Sequence, residues 1–114
     1  MSREPQEGLR RHKLLPADVL KALPPLYSQD GKGLDAIAHV KFFCPYSGSA
    51  TWYITEYDPE TGEMFGYFTG WHGDGELSYF DFNELAEARL QRVPMIERDC
   101  HWEARPLREC EGVS

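Results

Sequence analysis

Five residues of this chain carry side chains that could do acid–base chemistry together: Glu56, Asp58, Arg98, Asp99 and His101. Two or three carboxylates, a fixed cation and an imidazole are the parts of a small hydrolase or nucleic-acid-modifying site. They work only if they converge within hydrogen-bond reach. Glu97, Asp99 and His101 alternate along one stretch and would share a strand face. The plainer reading of Arg98-Asp99 is an ion pair tying a last strand to Glu56 or Asp58. Cys100 reads as a core residue rather than a nucleophile, because no Cys-His-Asn framework accompanies it. His39, His72 and His101 have neither H-x-H nor H-x-x-x-H spacing, and no CxxC occurs, so no metal site and no cofactor is expected.

The second constellation is one of charge. Between Lys41 and Arg89 there is no Lys or Arg, while the same interval holds nine acids: Glu56, Asp58, Glu60, Glu63, Asp74, Glu76, Asp81, Glu84 and Glu87. The net charge is −7. A field of that sign opposes direct nucleic-acid binding and anionic membranes, and suits a basic protein surface. Turns and helix starts also favour Asp and Glu for local reasons, and that is the competing account of the same residues. A divalent-cation site is a third account, but no EF-hand spacing is present. Trp71 and His72 lie in the glycine-rich string GWHGDG, where an exposed aromatic would make a second contact.

The elements that must position these residues read as short aromatic strands. Strands are predicted at about 36–44, 50–57, 63–69 and 76–81. In the first, Val40, Phe42 and Cys44 face inward. In the second, Trp52 and Ile54 lie opposite Tyr53, Thr55 and Tyr57. Gly66 in the third suggests a bulge, or an aromatic crossing over it. DPETG (58–62) is a strong turn string. A short helix is predicted over Leu14–Leu23, stopped by Pro24-Pro25. A second is predicted at about 82–92, with Asp81 as N-cap and Pro94 as its end. Ile96–Glu103 could add a fifth strand, with Ile96, Arg98, Cys100 and Trp102 on one face. The fold expected is α+β, a four- to five-stranded, mainly antiparallel meander sheet with two helices on one face. In a meander alternate turns share an end, so Asp58, Glu60, Glu63, Asp81 and Glu84 should gather at one pole. Asp74 and Glu76 should lie at the other.

At 114 residues the chain is expected to be one domain over 14–107. Residues 1–13 read as a flexible basic arm that dangles rather than folding back, and 108–114 as a loosely held tail. Three cysteines without paired spacing point to a reducing, cytoplasmic setting. There is no 18-residue apolar run and no apolar leader, so neither a membrane span nor a signal peptide is expected.

Several strings together resemble a known bacterial family: LLPADVLKALPPLYSQDGKG, KFFCP, WYITEYDPETG, FGYFTG, ELSYF and IERD. It is a family of small single-domain proteins classed as a domain of unknown function, often encoded on plasmids, integrative conjugative elements and other mobile DNA. The resemblance covers about residues 14–107. It implies a cytoplasmic accessory protein of mobile DNA and transfers no catalytic residue or cofactor. The functional expectation is a non-enzymatic acidic interaction protein, monomer or homodimer. It would bind a basic partner through Asp58, Glu60, Glu63, Asp81 and Glu84, with Trp71 and His72 as a second contact. The partner could be a host nuclease or DNA-processing complex, inhibited by charge mimicry of DNA. The alternatives are the small enzyme above and a structural homodimer.

Overall fold

The computed structural model describes residues 4–10, 12–46, 50–70 and 75–113, with only the backbone described at Leu90. One antiparallel sheet organises them. β2 (Val40–Phe43), β3 (Thr51–Tyr57), β4 (Glu63–Thr69) and β5 (Glu76–Asp81) form a meander, and β8 (Glu97–Arg98) joins its far edge in the order β5-β4-β3-β2-β8. Local chemistry sets the connections. Gly62 closes the turn between β3 and β4 at φ +83°, while the Asp58 carboxylate accepts from Glu60 N at 2.9 Å. The helices α2 (Ala17–Ala22) and α3 (Phe82–Glu87) cover one face, as the sequence suggested. Leu15 and Leu23 flank α2, and together with Phe82, Ala86 and Ile96 they bury Val40, Phe42, Trp52, Ile54 and Met64. Each such side chain stabilises the fold by about 1.5–3 kcal/mol.

The opposite face has its own smaller core. Ala36, Ala38, Tyr53 and Tyr67 are closed over by Leu107 and Cys110. Two irregularities put residues there. The segment expected as one strand at 36–44 divides into β1 (Ile37–Ala38) and β2. His39 N bonds Ile54 O at the same level where Val40 faces Ile54. His39 is therefore an extra residue, and Ala38 and Val40 reach opposite cores. β1 pairs instead with β9 (Arg105–Pro106). The second irregularity is a register shift between Ile54 and Glu56. It leaves Thr55 unpaired, its hydroxyl donating to Phe65 O at 3.0 Å. Tyr57, expected beside Tyr53, is thereby turned onto Phe82 in the larger core, with ring centroids 6.0 Å apart.

Two further expectations about the elements are corrected. The helix read at 82–92 ends after Glu87. The chain then turns through β6 (Arg89–Leu90) and β7 (Val93–Pro94), with Gln91 at φ +60°. The cause is remote. Gln6 Nε2 donates to Ala86 O and Ala88 O, and Arg10 Nη2 donates to Ala86 O at 3.0 Å. Those carbonyls would otherwise have accepted from the next helical turn. The strand read at 96–103 is two residues long, and its supposed shared face comes apart. Ile96 is in the large core, Cys100 is exposed, and Trp102 stacks on Tyr53 of the other face.

The dangling arm is also overturned for its described part. α1 (Glu7–Arg10) docks against the β7 region, and Arg10 is buried with its Nε donating to Ile96 O at 2.8 Å. Glu4 accepts from Leu14 N and Leu15 N at 2.5 and 2.6 Å. His12 Nε2 accepts from Arg98 N, and burial followed by the Arg98 charge lowers its pKa, which keeps that nitrogen unprotonated. The tail is likewise held, since Tyr53 Oη donates to Glu111 O and Thr69 Oγ1 to Gly112 O.

Tyr53 gives the fold an alkaline limit. Burial first, then Cys110 and Glu111, push its phenol from 10.0 up to about 12. The folded state therefore holds a proton that the unfolded chain releases. The contribution is complete below pH 10 and is lost as pH rises through 12. We expect the melting temperature to fall over that window, and to fall less steeply in Tyr53→Phe. A scan of melting temperature against pH for both proteins measures the difference.

Candidate functional site

The acidic pole is built by two neighbouring connections. Glu63 faces Asp81 across β4 and β5, Phe82 N bonds Gly62 O at 2.8 Å, and Asp58 N bonds Glu63 O at 2.8 Å. The β3–β4 turn and the β5–α3 junction are thus stitched together, bringing Asp58, Glu60, Glu63, Asp81 and Glu84 to one end of the sheet. Asp81 is the N-cap of α3, its Oδ1 accepting from Asn83 N at 2.8 Å and Glu84 N at 3.2 Å. That cap contributes about 1 kcal/mol. Asp81 therefore serves structure as well as charge.

Among the described residues no Lys or Arg forms an ion pair with any of these five acids. Lys13 pairs with Glu7 at 3.9 Å and Arg108 with Asp35 at 2.7 Å. Arg98 Nε donates to Lys13 O, and the Arg105 guanidinium lies 4.3 Å from the centre of the Trp102 ring. The uncompensated charge is felt locally. Burial, then Glu4, Asp58 and Asp81, raise the pKa of the Tyr57 phenol. Beside the pole lies a cleft of about 440 Å³, with Leu15, Leu20, Tyr57 and Phe82 as an apolar lining and Glu60 and Lys13 among its polar groups.

The acid–base candidates are not brought together. Glu56 is buried on the second face, where its two carboxylate oxygens accept from Tyr27 N at 2.8 Å and Gln29 N at 2.7 Å. It fastens the 27–29 segment to the sheet. Asp58 belongs to the acidic pole. Arg98 and Asp99 sit on the opposite edge, with Arg98 facing Phe42, and Phe42 facing Trp52. Four residues along β3 and two strand spacings then separate Arg98 from Glu56, roughly 16 Å. Asp99 accepts from His101 N at 2.9 Å in a local turn, and His101 is exposed. The expected ion pair from Arg98-Asp99 to Glu56 or Asp58 is absent. Trp71, His72 and Asp74 lie outside the described residues. Among the described residues no group of three His, Cys, Asp or Glu is placed to hold a metal ion.

Sequence reasoning missed an aromatic strip on the second face. Tyr79 packs on Phe65 at 4.8 Å between ring centroids and approaches Tyr27 at 6.5 Å. Tyr27 joins this strip from the segment that follows Pro24-Pro25. It stands at φ +71°, and the Glu56 anchor holds its backbone. The signal available was the alternation of Leu77 and Tyr79 against Ser78 and Phe80, which puts two large side chains on one face of the strand.

The elements together define an α+β domain built on one antiparallel five-stranded sheet. The chain matches the family described as "Protein of unknown function (DUF2958)" over residues 14–108, and it belongs to that family. No curated protein matches it, and no solved structure does. No helix among the described residues is long and apolar enough to cross a membrane.

Proposed function

We propose that this protein is a non-enzymatic interaction protein whose acidic pole docks a basic protein surface. The observation that carries this reading is the gathering of Asp58, Glu60, Glu63, Asp81 and Glu84 by two hydrogen-bonded connections, with no Lys or Arg ion pair to any of them among the described residues. Solvated carboxylates at this density steer and orient a cationic partner. The cleft beside them, apolar on the side of Leu15, Leu20, Tyr57 and Phe82, offers a place for that partner to bury a side chain. The resemblance to proteins of plasmids and conjugative elements adds a setting: a cytoplasmic accessory protein acting on a host nuclease or DNA-processing complex by presenting charge where DNA would lie. Three free cysteines fit a reducing compartment.

The test is a pull-down from host lysate at low and high salt. It uses the wild type and a variant carrying Asp58→Asn, Glu60→Gln, Glu63→Gln and Glu84→Gln, which leaves the Asp81 cap intact. The expected result is a partner retained at low salt, released at high salt and lost by the variant. Retention indifferent both to salt and to the four substitutions rules the reading out.

A further inference from the structure

Among the described residues the outer side of β5 is a strand edge to which no other strand bonds. β5 pairs with β4 without interruption from Glu63↔Asp81 to Phe68↔Glu76 and has no strand on its other side. Phe82 N bonds Gly62 O, which fixes the phase of the ladder. The even-numbered residues of β5 bond to β4, and the backbone groups of Leu77 and Tyr79 point outward. Among the described residues only Ser78 Oγ, 3.4 Å from Tyr79 O, approaches them. Edges are ordinarily blunted by Pro, Lys, a bulge or a covering segment. The sequence ELSYFD has neither Pro nor Lys, and its register shows no shift.

The side chains beside this edge have a definite chemistry. Leu77 and Tyr79 are 38% and 49% exposed, and Tyr27 next to them is 58% exposed. Two clefts flank the strip. One, of about 360 Å³, includes Glu63, Tyr79 and Asp81. The other, of about 340 Å³, includes Asp30, Phe65 and Leu77. Among the described residues no Lys or Arg lines either cleft. Apolar surface over the middle of the strand and acids at both ends complement a segment with apolar side chains at its centre and cations around them. A second copy of this chain is a poorer occupant, since it would bring another charge of −7 and set like acids against one another.

We propose that β5 takes an extended segment of a partner polypeptide as a sixth, antiparallel strand, one in which apolar residues alternate with Lys or Arg. This rests on the reading of the partner as cationic and adds how it is held: main-chain bonds to Leu77 and Tyr79, apolar side chains over the Tyr27–Phe65–Tyr79 strip, and cations on the opposite face of the sheet, the face of Glu76.

The probe is acetyl-(Lys-Val)4-amide, together with two forms of it methylated on backbone nitrogen, one at every valine and one at every lysine. Residues opposite Leu77 and Tyr79 share their face and direct their N–H groups at β5, and in the bound peptide these are the valines. The unmethylated and lysine-methylated peptides should bind alike, more weakly as salt rises. The valine-methylated peptide should bind at least about tenfold more weakly at unchanged charge. Leu77→Pro removes an outward N–H without touching the β4 ladder and should weaken binding by about the same factor. The methylated peptides keep the question answerable if that variant does not fold. Equal binding of the two methylated peptides, or no binding of the parent peptide, overturns strand addition. So does a wild-type dimer in sedimentation velocity that Leu77→Pro converts to monomer, since the occupant would then be a second copy. Equal binding of the methylated peptides that still depends on salt and on the four pole acids leaves the acidic dock standing. A methylation signature that survives neutralising those acids removes the dock and leaves the strand.

Discussion

Gly66→Ala should destabilise the domain by about 3 kcal/mol or more, lowering the melting temperature by roughly 10 °C. A Cβ on Gly66 would stand 2.0 Å from Tyr53 O and 2.9 Å from Ile54 Cα. Both are backbone atoms of β3, at the place where its register shifts. No rotamer change relieves such a contact. The strand would have to move away and give up both the bulge and the ladder bonds around it. Thermal unfolding followed by far-ultraviolet circular dichroism checks this. A loss smaller than about 1 kcal/mol would mean that the two strands do not approach so closely. Gly31 is the control, because a Cβ there meets nothing within 4 Å and only its φ of +81° resists substitution.

Glu56→Ala should be nearly as costly, about 3 kcal/mol, because it leaves the N–H groups of Tyr27 and Gln29 without acceptors beneath a segment that is closed against the sheet. Glu56→Gln keeps one acceptor oxygen and should lie about midway between Ala and the wild type. Chemical denaturation of the three proteins measures the series. The same series bears on the acid–base account of Glu56. A catalytic carboxylate loses activity on conversion to Gln while the fold is kept, whereas an anchoring carboxylate loses stability in proportion to the acceptors removed. The loss should extend to Gln29, whose side chain bonds Ile37 N, Ile37 O and Thr55 O and so ties β1 to the bulge.

What could be read from the residues alone was whatever local chemistry decides. Asp58 to Gly62 make the turn expected of them and Asp81 caps the helix that follows, while the bulge expected at Gly66 lies opposite it, with Thr55 of the neighbouring strand as the extra residue. The alternation of Val40 and Phe42 against Lys41 gave the right inward face. The meander and the convergence of the acidic turns followed from those strands and their short connections. What escaped was decided by residues far away in sequence. The spacing of Leu85, Leu90 and Val93 suits a longer helix, but Gln6 and Arg10 occupy the carbonyls such a helix would need. Tyr57 was assigned by period two, which an unpaired Thr55 interrupts. Glu56 looked like chemistry because nothing nearby explains a carboxylate at that place in an aromatic strand. Its partners lie in the Tyr27–Gln29 stretch, which reads as turn and linker. The same holds for Arg98, whose carbonyl partner is supplied by Lys13.

The pairing of β1 with β9 also orders events during synthesis. Ile37 cannot close on Pro106 until 69 further residues (106 − 37) have left the ribosome, and Arg10 must likewise wait for Ile96. Contacts of such long separation form slowly. A pause in translation ahead of Arg105 would leave the meander assembled while the side bearing Tyr53, Tyr67 and Ala38 lay open. That nascent surface is the one a chaperone would recognise.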